Sequence, residues 1–225
     1  MTGASGGGRY SDELRSLASG IWEAQHAHPF VRGIGGGTLD AERFRHFVRQ
    51  DYVFLIEYSR LLSLACARAP QLTWMRRFAE LAAATLGDEM DMHREFATTW
   101  GITAEELQYE RATATSRGYT DFLLRTAALG DYAELVSALL PCIWGYAEVG
   151  RSLAPWTKDN PYAAWIETYA GPDFQGQAGW CRALTDELAS GLDESGRARM
   201  LEAFLQSSRH ELAFFDMAWR LESQA

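Results

Sequence analysis

The segment "FRHFVRQDYVFLIEYSRLLSLACA" spaces Phe44, Phe47, Val48, Tyr52, Leu55, Tyr58, Leu62 and Ala65 three or four residues apart. On a helix this pattern gathers them into one broad stripe that must be covered by other elements. The same spacing recurs almost everywhere else in the chain. No window shows period-2 alternation bounded by Asn-Gly or Asp-Gly turns, so no strands are expected, and no repeat of fixed period is visible. These constraints predict an all-α fold, a single-domain helical bundle with helices long enough to enclose a cavity.

The punctuation of the sequence divides this bundle. Asp40, after "GGGTL", is positioned to cap the striped helix. The stretch from Pro70 to Gly101 is Ala-rich and helical, with Gly87 a weak point. Thr103 followed by Glu106 has the capping-box pattern. Further helices are predicted over 117–129, 131–153, 159–170, 173–191 and 193–221. The start "MTGASGGGRY" has no apolar centre and lacks the order of a secretory signal. Residues 1–9 are therefore expected to be a flexible tail, and residues 10–225 the helical domain.

Composition narrows the class of function. A net charge of −9 argues against nucleic acid, whose phosphates select basic faces, and against anionic membrane surfaces. A neutral or cationic small molecule is the expected partner. No apolar run approaches the length needed to cross a bilayer, and a cytoplasmic location is expected. Cys66, Cys142 and Cys181 are odd in number, far apart and outside any CxxC arrangement. They suggest neither a disulfide framework nor a zinc site.

Several polar residues fall where apolar ones belong. Cys142 follows Pro141 in "LLPCIWGYAEVG", and a proline inside a helix removes a hydrogen bond at a cost of about 3 kcal/mol. Tyr146 lies four residues after Cys142, on the same face, so the thiol is either a packing residue or a nucleophile. Trp144 and Glu148 fall away from that face and read as structural. Asp51 interrupts the apolar stripe and must be paired, hydrogen-bonded or neutralised. It is either an arginine's partner or an anchor for two adjacent nitrogens of an amidine-like ring. Glu211, among Phe204, Phe214, Phe215 and Ala218, has the surroundings of a general acid–base carboxyl or else lies at a solvated edge.

Glu89 and His93, four apart, with Glu57 and His210 as companions, give half of a bundle di-iron pattern. His26, His28 and His46 read as caps or exposed positions. The glycine-rich stretch from Gly33 to Asp40 matches no phosphate loop and reads as a turn feeding a helix cap.

Six stretches in order, "HPFVRGIGGGTLDAERFRHFVRQDYVFL", "EMDMHREF", "YTDFLLR", "AELVSALLPCIWGYAEVG", "YAAWIETYAG" and "SSRHELAFFDMAW", together resemble the thiaminase II family, also called TenA. Its members share the haem-oxygenase-like bundle. The resemblance implies that Cys142 is a nucleophile adding to a pyrimidine ring, that Asp51 grips a ring nitrogen and its amino group, and that Glu211 is the acid–base residue. It assigns Tyr119, Tyr146 and Tyr169 to the pocket. It also implies hydrolysis of 4-amino-5-aminomethyl-2-methylpyrimidine with release of ammonia in thiamine salvage, related cleavage of thiamine, a homotetramer, and no metal or other cofactor. Three positions depart from the pattern. Phe54 stands where close relatives carry tyrosine, which keeps a ring for stacking and loses a hydroxyl; His210 also replaces a tyrosine, and Gly36 an acidic turn residue. A haem-oxygenase-like oxidase, di-iron or cofactor-free, and a non-catalytic pyrimidine-binding relative remain as alternatives.

Overall fold

The striped segment forms α4 (Ala41–Arg68), started by Asp40, whose carboxylate accepts from the backbone N–H groups of Glu42 and Arg43 at 3.0 and 3.2 Å. A side chain of this kind at an N-cap is worth about 1 kcal/mol. The computed structural model describes residues 8–224. Residues 1–7 of the expected tail lie outside the described residues. Among the described residues no strand is present, only an isolated bridge between Thr113 and Gln224.

Before α4 the chain forms α1 (Tyr10–Leu17), α2 (Ser19–Ala27) and α3 (Pro29–Gly35). None of the three was among the predicted helices. Each is only about two turns long, too short to display a repeating apolar stripe. His28 caps α3, its Nδ1 accepting from the Phe30 N–H at 3.1 Å, and it is buried, whereas half-buried His26 pairs with Glu148. The glycine-rich stretch closes α3 and turns at Gly37, where φ is +64°, a conformation that favours glycine.

The long Ala-rich segment is interrupted at the predicted weak point. It forms α5 (Leu72–Ala84), a π-helical turn over Thr85–Glu89 that contains Gly87, and α6 (Met90–Thr99). The short α7 (Ala104–Gln108) carries the predicted capping box. Then follow α8 (Ala114–Leu129), α9 (Tyr132–Leu153), α10 (Ala163–Ala170), α11 (Pro172–Ser190) and α12 (Glu194–Arg220). Helix α8 starts three residues earlier than predicted because Thr113 caps it. Helix α10 starts four residues later, since Asp159 adopts a positive φ and the chain turns through Pro161.

Helix α9 is apolar on all sides, and from Ala133 to Gly150 only Glu134 and Glu148 escape burial. A helix of that composition belongs in the interior, and α8, α10, α11 and α12 surround it. It runs unbroken through Pro141; the missing N–H costs one helical bond to the Ser137 carbonyl. Its far end lies so close to α10 that a Cβ on Gly150 would stand 2.6 Å from the backbone carbon of Tyr169. The core holds Trp22, Trp165, Tyr119, Tyr169 and Phe204 with at most 1% exposure. Each such side chain contributes roughly 1.5–3 kcal/mol by burial.

Candidate active site

Five elements aim polar side chains at one region of this core. Helix α4 contributes Asp51, Phe54 and Tyr58, at intervals of three and four that keep them on one stripe. Tyr119 comes from α8, Cys142 and Tyr146 from α9, Tyr169 from α10, and Glu211 from α12. All eight are buried.

The acid–base end is built around Glu211. Tyr119 donates its phenol to Glu211 Oε1 at 2.6 Å, and its oxygen lies 2.9 Å from Ser207 Oγ. Burial, with a smaller push from Asp51, raises the Glu211 carboxyl to about 8, against the pull of hydrogen bonds from Tyr119 and the Cys142 thiol. Burial likewise drives the Cys142 thiol well above its ordinary value, reinforced by Glu211, Glu89 and Asp51, and a hydrogen bond from Tyr58 works in the opposite direction. The thiol thus lies between a phenol and a carboxyl that titrates near neutrality. This pair can move a proton without a histidine.

Tyr58 was visible in the sequence only as part of the apolar stripe. Its phenol reaches both the thiol and the Leu139 carbonyl, the latter at 3.2 Å. Phe54 stacks on it at 5.5 Å and packs tilted against Tyr119 at 4.9 Å. The hydroxyl that position 54 lacks is therefore present one helical turn further on. The spacing from Phe54 to Tyr58 was the available signal, since residues four apart share a face.

At the other end stands Asp51. The partner considered from the sequence was an arginine; the structure supplies His93, whose Nε2 lies 2.7 Å from Asp51 Oδ2. The Nε2 of His93 is thus engaged by Asp51. Glu89, on the π turn, accepts from the Tyr169 phenol at 3.0 Å, and burial and Asp51 raise its carboxyl to about 7. Glu57 pairs with Arg60 on the outside. His210 stacks flat on Tyr119 at 5.0 Å. Among the described residues no group of three His, Cys, Asp or Glu is arranged to hold a metal ion. Tyr146 packs 4.9 Å from Tyr169 and 5.9 Å from Phe215.

A narrow cavity of about 10 Å³, room for roughly one water, reaches the thiol and is lined by Tyr58, Thr85, Glu89, Cys142 and Phe174. Through Thr85, Glu89 and Phe174 it adjoins an outer cleft bordered by Asp88 and Asp173. Asp51, Tyr146, Tyr169 and Glu211 do not line the pocket itself. Trp144 and Glu148 lie outside the cluster. Trp144 packs on Trp22 at 5.1 Å, and Glu148 pairs with Arg15 at 3.2 Å.

Residues 15–221 match the TENA/THI-4/PQQC family. The chain belongs to that family. An aminopyrimidine aminohydrolase of Halalkalibacterium halodurans is 41% identical over 93% of this chain and 95% of its own length. One from Helicobacter pylori is 32% identical over 93% of this chain and 98% of its own length. Among solved structures, the TenA homologue from P. horikoshii OT3 superposes with a TM-score of 0.87, at 31% identity over 95% of this chain and 99% of that one. A domain of haem-oxygenase-like fold from Shewanella denitrificans reaches 0.73 at 12% identity over 93% of this chain and 92% of that one, which shows the shared haem-oxygenase-like fold alone. No helix is long and apolar enough to cross a membrane among the described residues.

Proposed function

We propose that this protein is an aminopyrimidine aminohydrolase of the thiaminase II type, converting 4-amino-5-aminomethyl-2-methylpyrimidine and water to the hydroxymethylpyrimidine and ammonia. The observation that carries the reading is the buried cluster in which Cys142 is brought together with Tyr58, Tyr119 and Glu211 from four helices. Family membership and the aminohydrolases at 32–41% identity support it.

Asp51 receives the amidine edge of the ring, its free carboxylate oxygen facing the amino group and the adjacent ring nitrogen. In its ionised form, the fraction able to accept, Glu211 takes the thiol proton, and the thiolate forms a bond to an electron-poor ring carbon. Electron density returned through the ring then expels the exocyclic amine, which leaves as ammonia with the proton held by Glu211. Water adds to the exposed methylene carbon and gives its proton to Glu211; the carbon–sulfur bond breaks and restores the aromatic ring. Covalent addition divides one difficult displacement into two easier steps. Tyr58 donates to the sulfur while it is anionic, and Tyr119 holds Glu211 in position. Tyr146, Tyr169 and Phe54 form walls for a flat ring. The walls exclude water until the amine has gone. Thiamine, whose pyrimidine carries its leaving group on the same carbon, is read as a second substrate. The protein is further read as a cytoplasmic homotetramer, consistent with the exposure of Leu72 and Leu129 at 72% and 75%.

The test is an ammonia-release assay over a panel of thiamine breakdown products, run with the parent and with Cys142→Ala. The parent is expected to turn over the aminomethylpyrimidine, and the variant to keep its helical circular dichroism while releasing no ammonia. Wild-type turnover by the variant would remove Cys142 as nucleophile.

A further inference from the structure

His93 is fully buried and both of its ring nitrogens face acceptors. Nδ1 lies 2.8 Å from the Glu89 backbone carbonyl, which has no hydrogen to give, so Nδ1 carries one. Nε2 lies 2.7 Å from Asp51 Oδ2. A bare nitrogen opposite an ionised carboxylate at that distance would set lone pair against lone pair, so a proton lies between them. The π turn over Thr85–Glu89 helps to create this arrangement, because it ends at the carbonyl that fixes Nδ1 and hands the chain to α6 one turn before His93.

The surrounding charges decide on which atom that proton resides. Three carboxyls, Asp51, Glu89 and Glu211, share the buried region, with His93 as the cation-forming group in contact with one of them. Glu89 and Glu211 are both pushed up, in part by negative charge on Asp51. Burial pulls His93 down, and the bond and charge of Asp51 outweigh it, leaving its value raised. Asp51 Oδ2 is occupied by the imidazole, while Oδ1 has no protein donor among the described residues.

We propose that His93, as an imidazolium, is the positioning residue for aminopyrimidine recognition: it clamps Asp51 through Oδ2 and presents Oδ1 as a fixed anionic acceptor to the amidine edge of the ring. This rests on the assignment of Asp51 to ring binding. It also gives the "EMDMH" stretch a role that does not involve metal.

Nitrogen-15 resonances of the His93 imidazole read the pair in the resting protein, without substrate. Both ring nitrogens are expected to be protonated at neutral pH, and Nε2 to lose its proton in Asp51→Asn. A neutral imidazole in the parent overturns the proposal. Calorimetry and kinetics with the pyrimidine then read the positioning. His93→Gln keeps an N–H for Asp51, and is expected to raise KM several-fold and leave kcat within about twofold. His93→Leu leaves the carboxylate unpaired, and a KM at least tenfold higher is expected, the scale of a lost hydrogen bond to a charged group. Equal KM for His93→Leu and parent overturns the role. Should His93→Leu fail to fold, a glutamine variant with both KM and kcat unchanged does the same. A parent protein that binds no pyrimidine overturns the proposed function, and with it the ligand assigned to Oδ1; the imidazole resonances still decide the ion pair.

Discussion

Glu211 illustrates how one buried carboxyl serves reactivity at the expense of stability. Its folded-state value of about 8 lies well above the unfolded value of 4.5. Between those values the native state holds a proton that the unfolded chain has released, so stability falls as pH rises through that window. The penalty is complete only above the folded value and amounts to about 5 kcal/mol at most. Glu211→Gln removes the titration. It is expected to reduce turnover by about 10²–10⁴-fold and to gain in melting temperature over the parent as pH is raised from about 5 to about 8. A constant difference across that range would mean that the carboxyl is not held neutral by its surroundings. The phenol next to the thiol makes a second residue-scale prediction. Tyr58→Phe is expected to lower kcat roughly tenfold by removing a donor to the developing thiolate. Phe54→Tyr added to it should recover part of the loss, because the two positions share a face one turn apart. No recovery would mean that the hydroxyl is useful only from position 58.

At the scale of elements, the buried helix α9 carries the nucleophile because it is apolar all round. The sequence made that legible, together with the Cys142–Tyr146 spacing and the capping residues Thr103 and Asp40. The short helices α1 to α3 were not legible, because two turns are too few to show a period. The offset start of α10 was hidden for another reason: the turn at Asp159 and Pro161 depends on Asn160, whose amide bonds the carbonyls of Ile34 and Gly35 at 2.9 and 3.1 Å, remote in sequence. Gly150 gives the prediction at this scale. A methyl group there meets the Tyr169 backbone at 2.6 Å, so Gly150→Ala is expected to cost about 1–3 kcal/mol by overpacking. It should also raise KM, since the displaced element carries Tyr169 and, through it, Glu89. Unchanged melting temperature and KM would show that α10 can yield freely.

For the whole molecule, the cluster draws on helices from every third of the chain, so binding and folding are thermodynamically linked. An aminopyrimidine at a hundred times its Kd is expected to add about 2.7 kcal/mol to stability. For a chain of this size that raises the melting temperature by about 2–4 °C per kcal/mol; Asp51→Ala should abolish the shift, and a shift that persists would place the ligand elsewhere. By itself the sequence determined that the chain is helical and which polar residues interrupt apolar faces, because these follow from short-range periodicity and the cost of burying charge. The partners of those polar residues were decided only by tertiary structure. Asp51 meets His93 across forty-two positions and Tyr119 meets Glu211 across ninety-two. Contacts at such separations depend on how α4, α6, α8 and α12 pack around α9, and helical spacing along one element carries no information about them.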